Sequence, residues 1–281
     1  MPEHKHEFNN IKIHTQYSIC EGAIKIDDLS DYCKINKVKA IGLTDTNNLC
    51  GALEFAEKIS KIGTQPIIGT QINLFSDNII GKVTLYATTE KGFKNLTKLS
   101  SLSYLKNHNS DEPNCNIQDL ISNNEDLILL TGNYRNFFGK LFYRNKLAEI
   151  KEIIEKLKLS FEDRLYIEIQ RHDEKQEVNF ENYLLDISSS QNLPLIATQE
   201  VYYIDPNMAE AHDALICIGE KQFLDDENRF RYSDQHYIKK NDKIEKIFED
   251  LPEALENNYN FPMRFSFKPK KSKPILPTIS N

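Results

Sequence analysis

Short apolar runs alternate with longer amphipathic stretches along most of this chain. The apolar runs are four to nine residues long and read IKIH, AIGLT, PIIGTQINL, KVTLYAT, LILLTG, LYIEIQ and LPLIAT. Their length and their β-branched residues are typical of buried strands. The stretches between them predict helices, most clearly EKGFKNLTKLSSLSYL and KLAEIKEIIEKLKLSF. We therefore predict an α/β fold of seven strands with helical crossovers, enough to close a barrel.

Three weaker helical patterns fit the same strand–helix rhythm. They are IDDLSDYCKINK, the segment from about 52 to 62, which Gly63 closes, and the segment from about 179 to 191. Beyond Met208 the rhythm stops. AEAHDALICIG predicts a helix, LDDENRFRYSDQHYIKK an irregular loop, and residues from about 242 to 250 a final helix that Pro252 stops.

Composition indicates an ordered protein with a substantial core. The chain has 281 residues, of which 40% are hydrophobic and 27% charged, and this length fits one α/β barrel or two smaller domains. No apolar run approaches a membrane span, and the N-terminal MPEHKHEFNN has no apolar signal segment, so we expect a cytoplasmic protein without membrane contact. Residues 106–116, rich in turn formers, are expected to form a mobile loop. The cysteines lack CxxC spacing and are expected to be free thiols, mostly buried: Cys20, Cys33, Cys50, Cys115 and Cys217.

The net charge of −7 does not favour a chain whose main task is to grip duplex DNA. Its tail is an exception, because four lysines lie among prolines there: Lys268, Lys270, Lys271 and Lys273. Two interpretations remain open for this tail. The first is a solvated linker, and the second is a basic hinge into a further domain.

Polar side chains follow the predicted strands, in particular His14, Asp45 with Asn47 and Asn48, and Gln71. The C-terminal ends of barrel strands are where such folds place their active sites. A hydrolytic multi-metal site needs converging histidines and carboxylates, typically with an H-x-H pair on the first strand. This chain has Lys12 before His14, and a protonated lysine cannot bind a cation.

The ligand candidates that remain are His14, Glu21, Asp45 and Glu200, with Glu168 and His172 near another strand end. They could hold one weak ion. We favour a hydrogen-bonded polar plug instead, with Lys12 paired to a carboxylate. Other histidines carry less weight: His4 and His6 are expected to be solvated, and His212 to make an ordinary surface or cap contact. The chain has no GxSxG, GxGxxG or GxxxxGK[ST] motif.

Several segments in order resemble a known family. They include IKIHTQYSICEGAIKIDDL, TDTNNLCGALEF, QPIIGTQI, LYIEIQRH, AEAHDALICIG and LDDENRFRYSDQHYIKK. Together they resemble the PHP domain (polymerase and histidinol phosphatase), and more closely the N-terminal region of bacterial DNA polymerase III alpha subunits. The likeness runs from about Phe8 to Pro277. It implies a distorted (β/α)7 barrel of the TIM type with a C-terminal helical and irregular extension.

The resemblance also implies where a metal site would lie. In members with an intact site, the ligand positions match these residues of the chain: Lys12, His14, Glu21, Asp45, Thr46, Gln71, Lys82, Asn133, Glu200 and Tyr202. Most have lost ligand chemistry, so the resemblance implies a degenerate site with no metal in this segment. If one ion were retained, His14, Glu21, Asp45 and Glu200 would hold it. The resemblance further implies that the catalytic Mg²⁺ of the parent polymerase belongs to a palm domain, which we do not find in this sequence.

The resemblance finally implies an organisation and a role. We expect a flexible N-terminus (1–7), a PHP barrel (8–205), a C-terminal extension of it (206–262) and a basic, proline-rich linker (263–281) toward the absent palm. The parent enzyme would synthesise DNA, and this segment would be a non-catalytic scaffold that docks the proofreading exonuclease subunit beside other replicative subunits. One alternative is a metal-dependent phosphoesterase or exonuclease with an atypical ligand set, which could include His172. Another is a DNA-binding module that uses the Lys-rich tail.

Overall fold

The computed structural model describes residues 7–105 and 112–272. Within these residues the strands are β1 (Lys12–Ile13), β2 (Ala40–Leu43), β3 (Gln65–Ser76), β4 (Ile79–Ala87), β5 (Leu127–Leu130), β6 (Leu165–Gln170), β7 (Leu195–Thr198) and β8 (Glu200–Val201). Strands β2 to β7 form a six-stranded sheet in chain order. The remaining two, β1 and β8, pair with each other in parallel.

Backbone hydrogen bonds join these two sheets into a distorted barrel. The N–H of Gly42 donates to the carbonyl of Asn10 over 2.9 Å, and the N–H of Thr44 donates to that of Ile13 over 2.8 Å. On the other side, only Gln199 separates β7 from β8, so β1 pairs with the continuation of the last strand of the sheet. The predicted distorted α/β barrel is confirmed.

A hairpin connects β3 and β4, the third and fourth predicted strands, between which the sequence predicted no helix. Strand β4 is antiparallel to both β3 and β5. Asp77 and Asn78 form the turn with φ values of 45° and 59°, a left-handed conformation that these two residue types tolerate. The reversal brings the beginning of β4 to the C-terminal end of β3, where Lys82 pairs with Asn73.

The barrel interior changes from apolar to polar along its axis. Its apolar part is one cluster of buried side chains: Ile11, Ala40, Ile67, Tyr86, Ile128, Leu130, Tyr166, Ile196, Phe261 and Phe265. Side chains alternate between the two faces of a strand, so Glu168 faces the same way as Tyr166 in β6. In the same way Thr198 follows Ile196 in β7. The polar side chains therefore gather where the parallel strands end.

The helices pack on the outside of the strands. They are α1 (Ile26–Asn36), α2 (Ala52–Lys61), α3 (Glu90–Leu105), α4 (Ile117–Ser122), α5 (Phe137–Tyr143), α6 (Leu147–Phe161), α7 (Lys175–Gln191), α8 (Ala209–Glu220), α9 (Asn241–Ile247) and α10 (Pro252–Asn260). Two apolar clusters lie between helices and strands, one beneath α1 and α2 and a larger one beneath α3 to α7. Sequence periodicity did not predict α4 and α5, because a helix of two turns or fewer repeats its apolar positions too few times. Across the described ranges, no helix is both long and apolar enough to cross a bilayer.

The predicted C-terminal extension is present, and the helix predicted from about 242 to 250 is α9, but it is not the last helix. Helix α9 ends at Ile247, and Pro252 is the first residue of α10 rather than a stop. Proline is well tolerated at the first helical position, because the N–H that it lacks would have no partner there. Helix α10 holds the barrel wall through Asn258, whose amide donates to the carbonyl of Ala197 over 3.0 Å.

The predicted mobile loop, residues 106–116, lies partly outside the described residues. His4, His6 and Lys273 lie wholly outside them. Of the part that is described, Asn114 and Cys115 are buried, and Cys115 bridges to Leu74 of β3. The cysteines are free and mostly buried as predicted; Cys20 is partly exposed and Cys50 is exposed.

Candidate functional site

A buried ion pair occupies the polar end of the barrel. Lys12 Nζ lies 3.1 Å from Oε1 and 3.2 Å from Oε2 of Glu168, and 3.8 Å from Oε1 of Glu200. The side chains of Lys12 and Glu168 are fully buried. The Glu168 carboxylate also accepts hydrogen bonds from Thr198 Oγ1 (2.5 Å) and Gln170 Nε2 (2.7 Å). One ammonium group and two neutral donors therefore satisfy this carboxylate.

Glu200 is the second buried carboxylate and lies at the centre of the network. Its Oε1 accepts from Gln71 Nε2 over 2.6 Å and lies 3.1 Å from His14 Nε2, while its Oε2 accepts from Asn133 Nδ2 over 3.0 Å. Burial alone would raise the pKa of Glu200, but Lys12 and the hydrogen bond to His14 hold that pKa well below its usual range. The carboxylate is thus kept ionised by protein groups.

Asp45 follows β2 and is held entirely by hydroxyl and backbone donors. Its Oδ1 accepts from the N–H of Thr15 (2.7 Å) and from Ser18 Oγ (2.7 Å), and its Oδ2 accepts from Thr15 Oγ1 (2.8 Å). Ser18 Oγ also lies 3.2 Å from His14 Nδ1, so this histidine contacts Glu200 on one side and the Asp45 group on the other. Burial raises the pKa of Asp45 despite these donors. Asp45 thus fastens the loop after β1.

A second ion pair lies at the rim of the barrel. Lys82 Nζ is 2.5 Å from Glu21 Oε1, and Thr46 Oγ1 donates to Glu21 Oε2 over 2.5 Å. Lys82 also lies 3.1 Å from Thr46 Oγ1, which closes the triangle. Burial raises the pKa of Glu21, but the charge of Lys82 outweighs it and lowers that pKa overall. Lys82 reaches this position because β4 runs antiparallel to β3.

Aromatic side chains cover the outer side of this network. The ring of Tyr202 stacks on His14 at a centroid distance of 4.6 Å and on His212 at 5.2 Å. It also lies 4.9 Å from Tyr232 and 5.4 Å from His236, two residues of the loop after α8. His14, Tyr202, His212 and His236 are all buried. We call the five rings of His14, Tyr202, His212, Tyr232 and His236 the aromatic cover. They shield the polar end of the barrel from solvent.

A second layer supports the Glu200 backbone. His172 Nε2 accepts from the N–H of Glu200 over 3.2 Å, and His236 Nδ1 donates to the Glu200 carbonyl over 2.9 Å. The two imidazoles stack at 4.1 Å with an interplanar angle of 6°. Burial and the neighbouring His236 hold the pKa of His172 well below its usual range, so its Nδ1 donates to Glu177 as a neutral ring. Burial raises the pKa of Glu177 to about 7.

The donors at this site do not fit a resident metal ion. Lys12 and Lys82 bring two positive charges to the place where a dication would need oxygen or imidazole ligands. All four candidate ligands already have partners: His14 and Glu200 contact each other, Glu21 pairs with Lys82, and Asp45 accepts from Thr15. Across residues 7–105 and 112–272, no three His, Cys, Asp or Glu side chains are arranged to hold a metal.

The structure thus gathers all ten ligand positions predicted from the sequence at one end of the barrel. Each contacts another of these positions or a residue that itself contacts one of them. His212 was interpreted incorrectly as a surface residue: it is buried, and its Nε2 donates to the Glu21 carbonyl over 2.8 Å. Thr198 and Gln170 were missed, although both end strands and the same strand-end rule could have identified them. His236 and Tyr232 were also missed, and their irregular loop carries no periodic signal.

Comparison with known proteins identifies relatives of this chain. The chain is 35% identical over 282 residues to the DNA polymerase III subunit alpha of Caulobacter vibrioides. The alignment covers 97% of this chain and 24% of that protein. It is 34% identical to the subunit of the same name from Rickettsia prowazekii, with 98% and 23% covered, and 30% identical to that from Vibrio cholerae, with 97% and 24% covered. The chain therefore spans about a quarter of the length of these curated relatives.

Similarity to solved structures is weaker. A two-domain protein from Bacteroides vulgatus is described as containing a predicted PHP-like metal-dependent phosphoesterase. It aligns at 10% identity with a TM-score of 0.46, covering 85% of this chain and 62% of that one. Among family models, that of the PHP domain matches residues 10–172, more than half of the chain. This match includes β1 to β6 and the buried ion pair between Lys12 and Glu168. The chain belongs to the PHP domain family.

Proposed function

We propose that this PHP segment acts, within a replicative DNA polymerase alpha subunit, as a non-catalytic scaffold that docks the proofreading exonuclease subunit. The relatives described above are named DNA polymerase III subunit alpha, which supports the replicative setting. DNA synthesis would then belong to the parent enzyme, whose catalytic Mg²⁺ would be bound outside this segment. The observation that carries the scaffold role is the position of Lys12 Nζ, 3.1 Å from Glu168 and 3.8 Å from Glu200.

The chemistry of this position argues against hydrolysis at the barrel end. A metal-dependent phosphoesterase uses bound cations to activate water and to stabilise negative charge on the phosphate. Here the buried ammonium of Lys12 takes the place of a metal ion. An ammonium group cannot coordinate and activate a water molecule as a metal ion does. The aromatic cover also lies between solvent and Glu200. The site is instead arranged to hold strand ends together, which is the property that a rigid docking scaffold requires.

Metal content tests the non-catalytic part of the proposal. The chain, purified without a tag or a chelator, is measured by plasma mass spectrometry after incubation with zinc, manganese or iron and desalting. We expect less than about a tenth of an ion per chain, because residues 7–105 and 112–272 offer no vacant ligand set that would offset desolvation of the metal. The matched variant Lys12→His with Gln71→Glu restores two ligand types and should bind more metal. One or more tightly held ions in the unmodified chain would contradict a non-catalytic barrel.

Binding of the exonuclease subunit tests the docking part. The cognate proofreading exonuclease subunit, purified separately, is titrated into the 281-residue chain in a calorimeter. We expect saturable binding with one exonuclease subunit per chain. Absence of binding at micromolar concentrations would refute the docking role and leave the structural description of the site unchanged.

A further inference from the structure

An exposed apolar strip lies beside the polar end of the barrel. Its members are Ile19, Ile218, Phe223 and Leu224, whose exposed fractions are 82%, 71%, 78% and 49%. We call these four residues the exposed strip. Ile19 lies in the loop after β1, and the other three lie at the end of α8 and in the loop that follows. Exposed apolar side chains that group on one part of a surface can mark interaction sites.

Two contacts bring the separate parts of the exposed strip together. Cys20 packs so closely on Gly219 that a Cβ at position 219 would lie 2.6 Å from the Cβ of Cys20. His212, earlier in α8, donates from Nε2 to the carbonyl of Glu21 over 2.8 Å. The loop after β1 is therefore fastened along α8, and Ile19 and Ile218 flank the contact between Cys20 and Gly219.

A buried arginine holds the remaining part of the exposed strip at the surface. The guanidinium of Arg229 pairs through two nitrogens with Asp213 of α8, and its Nε donates to the carbonyl of Leu224 over 3.2 Å. The N–H of Gln222 donates to the carbonyl of Cys217 over 2.9 Å. These bonds fix the backbone on both sides of Phe223. Phe223 therefore stays at the surface, where its side chain is exposed.

The exposed strip has an acidic border. Residues 218–228 are all exposed, and they contain four carboxylates and one lysine. The exposed Arg231 donates to the carbonyls of Leu224 and Asp226, so the four carboxylates face Lys221 and Arg231 and leave a net charge of −2. Within the part of the chain that the structure describes, Glu220, Asp225 and Glu227 form no ion pair with another side chain. An occupant with basic residues beside its apolar contacts would complement this charge. Anionic lipid would be repelled, and so would a second copy of the same acidic strip.

We propose that the exposed strip binds an apolar segment of a protein partner that is flanked by lysine or arginine. This inference rests on the proposed function, because the partner that it implies is the docked exonuclease subunit. It adds the surface and the chemistry of that contact. Apolar side chains of the partner would cover Phe223 and Leu224, and its basic residues would face Asp225 and Glu227.

Calorimetric titration of variants with the exonuclease subunit tests this surface. We expect Phe223→Ser with Leu224→Ser to raise Kd at least about tenfold, because central apolar anchors dominate interface affinity. Asp225→Lys with Glu227→Lys should also weaken binding, and about 0.5 M salt should reduce the difference from the unmodified chain. The matched control is Leu159→Ser with Met263→Ser, two other apolar residues that are each 82% exposed. That control should leave Kd within about twofold.

The outcomes separate this inference from the proposed function. If the unmodified chain binds and the Phe223→Ser, Leu224→Ser variant binds equally well, the inference is wrong and the docking role stands. If the unmodified chain does not bind, the docking role fails and the inference falls with it. Sedimentation velocity of the chain alone provides a further test. A dimer that Phe223→Ser with Leu224→Ser abolishes would assign the strip to self-association and overturn the inference.

Discussion

The ammonium of Lys12 lies 3.1 Å from the carboxylate of Glu168, and both side chains are completely buried. The two residues are 156 positions apart in the chain, on the first strand of the barrel and on β6. A charge pair of this kind is costly to desolvate, and its partners depend strongly on each other. The contact therefore joins β1 to β6 through groups that neither strand could bury alone.

Removal of the lysine charge should destabilise the chain severely. In Lys12→Met, Glu168 and Glu200 would remain buried without their shared cation, and we expect the free energy of unfolding to fall by about 3–5 kcal/mol. Urea denaturation followed by circular dichroism measures this value. The matched control is Lys58→Met, which breaks surface pairs with Asp27 and Glu54 and should cost far less, because solvent screens exposed pairs.

A double-mutant cycle separates the ion pair from the loss of packing. Glu168→Gln combined with Lys12→Met should cost less than the sum of the two single changes, because neither charge is then left without the other. Equal costs for Lys12→Met and Lys58→Met would show that the buried pair does not behave as described.

Replacement of Gln71 by glutamate should create a charge conflict at Glu200. The amide of Gln71 donates to Glu200 Oε1 over 2.6 Å, and a carboxylate there would oppose the existing one. We expect Gln71→Glu to lose about 2 kcal/mol or more of unfolding free energy at pH 8. The loss should be smaller at pH 5, since one of the two carboxyl groups can then take up a proton.

Thermal and urea unfolding at the two pH values measures this effect. Gln118→Glu, on the exposed side of α4, is the control for an added carboxylate and should change stability by less than about 0.5 kcal/mol. A Gln71→Glu chain as stable as the unmodified one at pH 8 would mean that a cation has entered the site.

His212 should make stability depend on pH between about 6.5 and 4. Burial lowers the pKa of His212 from 6.5 to about 4 in the folded chain. As the pH falls through this range, the unfolded chain binds a proton before the folded chain does, so stability decreases. The contribution of His212 alone should reach about 3 kcal/mol at pH 4.

The variant His212→Gln keeps a donor near the Glu21 carbonyl but cannot titrate. Its difference in unfolding free energy from the unmodified chain should therefore shrink as the pH falls from 7 to 4. Tyr202→Phe serves as the control, since burial places the pKa of Tyr202 well above its usual value and outside this range. A constant difference for His212→Gln across this range would contradict the assignment.

Gly42 should be irreplaceable, because it lies where β2 approaches the segment before β1. A Cβ at this position would lie 1.9 Å from the carbonyl oxygen of Ile11, so Gly42→Ala should cost about 3 kcal/mol or more. Gly63→Ala is the comparison, since nothing lies within 4 Å of its Cβ and only its φ of +87° opposes alanine. That change should cost about 1–2 kcal/mol. Urea denaturation that ranks the two variants in the opposite order would argue against barrel closure at Gly42.

Local sequence determined the elements and the end of the barrel where polar groups gather. The strand runs, the longer helices and the alternation between apolar and polar faces depend on neighbouring residues, and their periods can be read along the chain. The strand–helix rhythm predicted enough strands to close a barrel, and the chemistry of the strand-end residues led to the expectation of a polar plug. The resemblance to the PHP domain family added the distorted form of that barrel. The expected domain boundaries and the absence of a resident metal remain predictions.

Only the tertiary structure decided which groups meet. The sequence predicted that Lys12 pairs with a carboxylate, but Glu168 was one of several strand-end acids that could have been its partner. The hairpin between β3 and β4 places Lys82 against Glu21, and the irregular loop after α8 brings His236 onto Glu200. These contacts join residues far apart in sequence, whose distance depends on barrel closure and on the direction of each strand, and local periodicity contains neither quantity.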